Sequence, residues 1–478
     1  MLDQLLAKKT DFSEYDSGDG PCLKRTLGPW GLTALGIGAV IGGGIFVITG
    51  TAAAEHAGPA IILSFVIAAI CCSFTALCYA EFATLIPMSG SSYLYAYATL
   101  GELVAWFIGW NMVLEYGVSA SAVAVSWTGY FTSLLEHFGI VLPAVLTNAP
   151  LAFQDNHIVS TGAWFNLPAV AIVLALTWLC YVGIRESSGA NLAMVILKVG
   201  LIIIVIVAGW HYVNPDLWHP FVPENQGGDK YGWSGVLRAA AMVFFAYIGF
   251  EATSTAAQEA KNPQRDLPIG TIVSLTICTI LYIGMAAVLT GLLPFGQLGT
   301  TEPVVTAVRA HPELAWLRVV VEVGALIGLS SVVLVMIIAQ PRIFMIMGRD
   351  GLLPPVFAKI HPRYCTPHIN TVITGIGIAV LAAVFPLDVL GDLVSMGTLI
   401  AFCAVCAGVW ILRRTQPDAP RTFRVPWAPV TCTLGIASCL MLLSTMSWYN
   451  WTLLVIWTVI GMAIYAGYGY RNSKLRKR

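Results

Sequence analysis

Gly36-Ile-Gly-Ala-Val-Ile-Gly-Gly-Gly-Ile-Phe46 lies in the middle of an apolar run long enough to cross a bilayer, where a helix is expected to use its best formers. Each glycine costs about 1 kcal/mol against alanine inside a helix, so the triplet Gly42-Gly43-Gly44 predicts a break. The alternative is close helix packing through a face of small residues, which Gly36, Gly38, Gly42 and Gly44 would also supply. A second stretch bears on the choice. Phe244-Phe-Ala-Tyr-Ile-Gly-Phe-Glu-Ala-Thr-Ser-Thr255 puts a glycine, a carboxylate and a run of hydroxyls at matching depth in another apolar span, five spans further on. Five is odd, so two halves of five spans would have opposite orientations. Interruptions in the first member of each half are the sequence pointer to an inverted repeat with its site at the bilayer midplane.

The composition agrees with a bilayer setting. Of the 478 residues 57% are hydrophobic and 10% charged, and the mean hydropathy is +0.78, the profile of a polytopic membrane protein. Its spans are too long for barrel strands and lack their alternation, so the expected class is all-α. Twelve spans are read, approximately Trp30–Ala54, Ala60–Ile86, Gly101–Trp127, Phe165–Val182, Ser188–Trp210, Ser234–Gln258, Leu267–Leu293, Leu314–Met347, Ile369–Phe385, Leu390–Leu412, Val430–Met446 and Trp451–Tyr470. The expected division is a segment 1–26, a first five-helix repeat 27–210, a second, inverted repeat 211–412, and two further helices with a basic tail over 413–478.

With the amino terminus inside, alternate loops collect most of the Lys and Arg residues, among them Lys24, Arg25, Lys261, Arg265, Arg349, Lys359, Arg363, Arg413 and Arg414, while Lys230, Arg309 and Arg318 fall outside. The positive-inside rule then puts both termini in the cytoplasm of a multi-pass cell-membrane protein. No removable signal peptide is read in the polar stretch Met1–Pro21. All 11 cysteines fall in spans or on the cytoplasmic side, as Cys22 and Cys365 do, so no extracellular disulfide is expected. The longest outer loop, Thr128–Trp164, is short, so the chain must work within the bilayer.

Direction gives the breaks their chemistry. The first span runs outward, so its outer half starts near Gly44 with free N–H groups and a positive dipole end, suited to a carboxylate. The sixth runs inward, so its outer half ends near Tyr247 and Ile248 with free carbonyls. The inner half of the first span ends likewise near Ile41 and Gly42, and such carbonyls hold an ammonium. Donors beside acceptors at one depth complement a zwitterion such as an α-amino acid. Phe250 is either an aromatic lid over it or ordinary packing.

Lys198 stands about ten residues from either end of the span Ser188–Trp210, hence about 15 Å from each surface. An unpaired ammonium there costs on the order of 2.5 to 3.5 kcal/mol. It is either a structural lysine paired with a buried carboxylate or a proton carrier. Glu115, mid-span in the third helix with Ser119 one turn on, is a second intramembrane candidate, for a cationic side chain, for a proton network with Lys198, or for a structural hydrogen bond. Glu81 and Arg238, near span ends, read as structural charges. Glu251 reads equally as a helix cap.

These residues resemble a known family: the amino acid, polyamine and organocation transporters, and within them the cationic amino acid transporters. The resemblance is carried by Leu27-Gly-Pro-Trp-Gly-Leu through Gly50, Tyr79-Ala-Glu-Phe with Ile86-Pro-Met-Ser-Gly-Ser-Ser-Tyr93, Gly101-Glu102, Gly109-Trp110, Leu114-Glu115-Tyr116, Phe244–Phe250 with Asn262-Pro-Gln-Arg-Asp-Leu-Pro-Ile269, and Met347-Gly-Arg-Asp-Gly-Leu-Leu-Pro354. It implies the LeuT-type five-plus-five inverted repeat with two extra helices. It also implies import of L-amino acids, cationic or small neutral, by alternating access with proton symport, an exchanger on the same fold being the alternative. It carries substrate contacts onto Ile41, Gly43, Gly44, Phe245, Ala246, Ile248 and Phe250. Lys198 would replace the sodium ion of sodium-coupled relatives, facing Gly42 and the hydroxyls of Ser330 and Ser331. Two positions depart from the family: Glu251 stands where many relatives have Asp, and Gln258 where many have Glu.

The implied partners are an L-amino acid, the proton and the bilayer. No cofactor, metal or nucleic acid is expected, and an auxiliary subunit cannot be read. The absence of a His-Glu-x-x-His pair, a P-loop or paired intramembrane aspartates speaks against an enzyme.

Overall fold

The computed structural model describes residues 7–9, 27–85, 91–154, 157–183, 188–255, 260–364, 366–419 and 421–476. Cys22, Lys24, Arg25, Ile86–Gly90 of the second motif, Gln258, Cys365 and most of the stretch Met1–Pro21 lie outside the described residues.

Helices dominate them. The chain enters with α1 (Pro29–Val40), whose Pro29 at the first helical position suits a segment with no upstream hydrogen-bond partner. Residues 44–57 resume a helical path after a break. Gly58, at φ +58°, turns the chain into α2 (Ile61–Leu85). A side chain at Gly58 would also meet the Pro223 ring at 2.7 Å. Next come α3 (Ser91–Thr99) and α4 (Glu102–Val113). A π-helical turn, Leu114–Val118, links α4 to α5 (Ser119–His137). The third span is therefore longer than the sequence reading: its helix runs ten residues past Trp127, and the connection that follows keeps a short antiparallel hairpin, β1 (Leu151–Gln154) with β2 (His157–Ser160).

Then follow α6 (Leu167–Val182) and α7 (Ser188–Trp210). α6 has both end signals: the Asn166 side chain accepts from Ala169 N–H, and Gly183 closes the C-terminus at φ +84°. The second interrupted helix is α8 (Gly232–Val243), a 3₁₀ turn Phe244–Tyr247, and α9 (Ala252–Thr255). It leads to α10 (Pro263–Leu292), the short α11 (Pro303–Arg309), α12 (Ala315–Arg349), α13 (His368–Val384), α14 (Leu387–Thr415), α15 (Ala428–Leu443) and α16 (Trp448–Ile464).

Among the described residues, seven helical stretches are long and apolar enough to cross a membrane, and four shorter apolar helices accompany them, Pro29–Val40 and Leu167–Val182 included. Their outer faces are apolar: Ile196, Val207, Ile376, Val380, Val455 and Val459 are all more than half exposed. Such a belt suits hydrocarbon and not water. Polar residues lie inside instead. Glu81, read as structural, is held by both the Nε and Nη2 of Arg413 at 2.7 Å and by Val425 N–H at 2.8 Å. Arg238 donates to Asp392.

Candidate functional site

The first interruption falls at Ile41 and Gly42. Ile41 leaves helical geometry at φ −73°, ψ 100°, and helical hydrogen bonding resumes from Gly43 and Gly44. The second falls at Ile248 and Gly249. Ile248 is extended (φ −62°, ψ 132°), and Gly249, at φ +118°, has a backbone that side-chain-bearing residues rarely adopt. Space imposes glycine as well, since a Cβ at Gly249 would lie 2.8 Å from the Ala39 carbonyl.

The two breaks touch. A Cβ at Gly44 would sit 2.3 Å from Ala246 Cα, and one at Gly43 would sit 2.8 Å from Ser126 Oγ. At Gly42 it would reach a Val332 methyl at 3.4 Å, so this face of the break meets α12. The glycine triplet thus breaks the helix and also lets two backbones approach. The packing and break readings of the sequence are both realised here.

Lys198 is 1% exposed. Its ammonium donates to Gly38 O at 2.8 Å and to Ile41 O at 3.1 Å, the carbonyl end of α1. A helix C-terminus carries unpaired carbonyls and a negative dipole end, so it is a natural seat for a cation. The lysine's methylenes run past Gly328 of α12, where a Cβ would come within 3.4 Å of Lys198 Cγ. α7 is in this way tied to α1 and packed on α12. Ser330 and Ser331 lie on the same stretch of α12, but their hydroxyls donate to Leu326 O at 2.7 Å and Gly328 O at 2.9 Å, within their own helix.

Phe245, Ala246, Ile248 and Phe250 are buried. The Phe250 ring sits edge-on to Tyr79, centroids 5.9 Å apart, and 5.3 Å from Phe402. Glu115 and Ser119 are buried on the π turn and at the start of α5. Turns of that kind recur at functional sites because the extra residue re-aims side chains.

One residue is absent from the sequence reading. Tyr282 of α10 places its hydroxyl 3.0 Å from Val40 O and 2.9 Å from Ala246 O, bridging the ends of both interrupted helices. A lone phenol within the apolar run Ile277–Met285 was the available signal.

A bundle with an apolar outer belt and two broken helices meeting inside it, beside a buried lysine, is a multi-pass membrane transporter and not an enzyme. The chain belongs to the amino acid permease family, whose model matches residues 27–468. It is 46% identical over 455 residues to the branched-chain amino acid permease BcaP of Bacillus subtilis, covering 95% of each chain. It is 45% identical to a methylthioribose transporter of the same organism, again over 95% of each. To the vacuolar cationic amino acid transporter 4 of Arabidopsis thaliana it is 38% identical over 86% of this chain and 67% of the relative. The resemblance drawn from the motifs alone is therefore borne out at the level of the family.

Proposed function

We propose that this protein imports L-amino acids, cationic, small neutral or both, by proton symport with alternating access. It does so on twelve transmembrane helices arranged as a LeuT-type five-plus-five repeat, 27–210 and 211–412, followed by two helices over 413–478, with both termini in the cytoplasm. The observation that carries this reading is the pair of hydrogen bonds from Lys198 to Gly38 O and Ile41 O at the break. A protonated amine there fastens α7 to α1, and loss of its proton inside removes one reason for the fastening. The resemblance would add Gly42, Ser330 and Ser331 to this site, and the two serine hydroxyls donate to Leu326 O and Gly328 O of their own helix.

The zwitterion is received by the break itself. Its carboxylate meets the N–H groups that start at Gly43 and Gly44, and its ammonium meets the carbonyls around Ile41, Phe245, Ala246 and Ile248. Phe250 closes over it. Glu115 and Ser119 face the side-chain end, where substrates differ. Relatives named for branched-chain and for cationic amino acids support the class. The one named for methylthioribose makes the side-chain end the part to be measured.

Uptake into empty proteoliposomes tests the coupling. Labelled amino acid should enter faster under an inward proton gradient, and Lys198→Ala should abolish the acceleration. Wild-type uptake that ignores the gradient but requires internal substrate identifies an exchanger instead. A thermal-shift screen of the twenty amino acids identifies the substrate, because a ligand of the native state raises apparent stability.

A further inference from the structure

α15 lies against α2 along a seam of thiols. Cys71 and Cys78 of α2 are seven residues apart, as are Cys432 and Cys439 of α15, so each helix presents two sulfurs on one face, two turns apart. The sulfurs meet in antiparallel order. Cys71 Sγ lies 3.6 Å from Cys439 Sγ, and Cys78 Sγ lies 3.8 Å from Cys432 Sγ. Gly435, between the two contacts on α15, permits the approach: a Cβ there would lie 2.8 Å from Cys406 Sγ of α14 and 3.3 Å from Phe74 Cβ of α2. All four paired cysteines are free and at most 1% exposed. Among the described residues no group of three or more His, Cys, Asp or Glu could hold a metal ion, and the contacts favour chemistry between the sulfurs themselves.

Two turns before Cys71, α2 is fastened to the second interrupted helix: Ser64 Oγ donates to Val236 O at 2.8 Å, and the Tyr247 hydroxyl donates to Phe65 O at 3.1 Å. Thiols are weak donors and weak acceptors, so the seam itself holds α2 on α15 only loosely. We propose that the pairs Cys71–Cys439 and Cys78–Cys432 are oxidation sites, at which a hydroperoxide joins α2 to α15 by a disulfide and so arrests transport. One sulfur attacks the peroxide, an S–O bond forming as the O–O bond breaks, and the departing oxygen leaves as an alcohol with the thiol's proton. The facing sulfur then displaces the hydroxyl of that sulfenic acid, which leaves as water with the second thiol's proton. Two thiols are oxidised to one disulfide, and one hydroperoxide is reduced to an alcohol and a water. The sulfurs close to about 2.0 Å. The product carries no charge and no polar hydrogen, which suits an apolar seam. Leu434 and Leu440 are exposed on α15, so hydrocarbon lies one helix away and a hydroperoxide dissolved in it reaches the sulfurs through local opening. The bond then ties the helix that backs the second break to α15. Only the arrest rests on the alternating-access reading; the bond itself does not.

Cross-linking is read without transport, so its failure and the failure of the import reading are separable. Full-length protein in proteoliposomes is treated with cumene hydroperoxide, remaining thiols are blocked, and the unreduced digest is analysed by mass spectrometry. Peptides joined through Cys71–Cys439 and through Cys78–Cys432 are expected. A pair that stays unlinked overturns its own site, and two that do overturn the proposal. In the same vesicles, uptake of a substrate found by the thermal-shift screen should fall in proportion to the cross-linked fraction and return on reduction with dithiothreitol. The C432S/C439S variant should transport after the treatment as it does before. Equal loss of uptake in that variant, or cross-linked wild type that transports at its full rate, overturns the arrest. Should the serine variant not fold, C432A/C439A serves in its place, and the wild-type digest decides the cross-link without either.

Discussion

Replacing Lys198 with methionine keeps the length of the side chain and removes every donor. Its hydrogen bonds to Gly38 O at 2.8 Å and to Ile41 O at 3.1 Å are lost with them. A hydrogen bond from a charged group is worth about 1.5 kcal/mol at the low end of its range, so the pair contributes about 3 kcal/mol to the arrangement in which α7 holds the break. Interhelical hydrogen bonds inside membranes average nearer 0.6 kcal/mol, which sets a floor of about 1.2 kcal/mol. At 1.36 kcal/mol per factor of ten, the equilibrium between held and released states moves by roughly eightfold at the floor and by more than a hundredfold at the higher figure. Amide hydrogen exchange over residues 38–44 reads this directly and should accelerate within those limits. Uptake into proteoliposomes should lose its response to an inward proton gradient. Lys198→Arg supplies the contrast: arginine keeps the charge and the donors but does not release a proton, so it should retain exchange of internal for external substrate while showing no gradient stimulation. A methionine variant with wild-type exchange protection and wild-type gradient stimulation would refute the reasoning.

Gly44→Ala places a methyl 2.4 Å from Ala246 Cβ, and overpacking of this kind costs typically about 1 to 3 kcal/mol, so the apparent melting temperature should fall and the substrate-induced thermal shift should disappear. Tyr282→Phe removes a hydroxyl that reaches both Val40 O and Ala246 O and should cost about 1 kcal/mol in the same melting assay. Asp392→Asn leaves the buried Arg238 guanidinium with Asp229 at 3.7 Å, and breaking a buried pair costs about 3 to 5 kcal/mol, seen as loss of monodisperse protein on size exclusion. At Glu302, in the loop before α11, burial holds the carboxyl above its usual range, against the opposing effects of Thr301 and Arg309. The native state then binds this proton more tightly than the unfolded chain. Its stabilising contribution is complete below the unfolded pKa and is lost as pH rises through the native one. Glu302→Gln should flatten that part of the melting temperature against pH profile above about pH 4, where the unfolded carboxyl has ionised.

What could be read from the chain follows from how local each determinant is. The break at Ile41 and Gly42 is written in consecutive glycines whose helix penalty adds up in one place. The lysine is conspicuous because nothing else in Ser188–Trp210 is charged. The resemblance has it facing Gly42, and the carbonyl of the preceding residue, Ile41, is one of its acceptors. Gly38 O, three residues earlier, was not foreseen, because which carbonyl is free depends on where the helix lets go. Ser330 and Ser331 were expected to turn toward the lysine. In a helix the carbonyl three or four residues back is always within reach of a serine hydroxyl, and that local partner is the one seen. Tyr282 is not legible as a site, since it joins α10 to Val40, more than two hundred residues away, although it reaches Ala246 across only 36.

The kind of acceptor matters more than its number. A lysine paired with a carboxylate is neutralised by a full charge, and removing its proton leaves an unpaired anion in the interior, which opposes release. The carbonyls of Gly38 and Ile41 are dipoles. They accept from the ammonium without adding a charge of their own. A broken helix therefore offers two things here: N–H groups from Gly43 and Gly44 of the kind that suit a carboxylate, and carbonyls that accept from the lysine. A continuous helix offers neither, because every one of those groups would be spent within the helix.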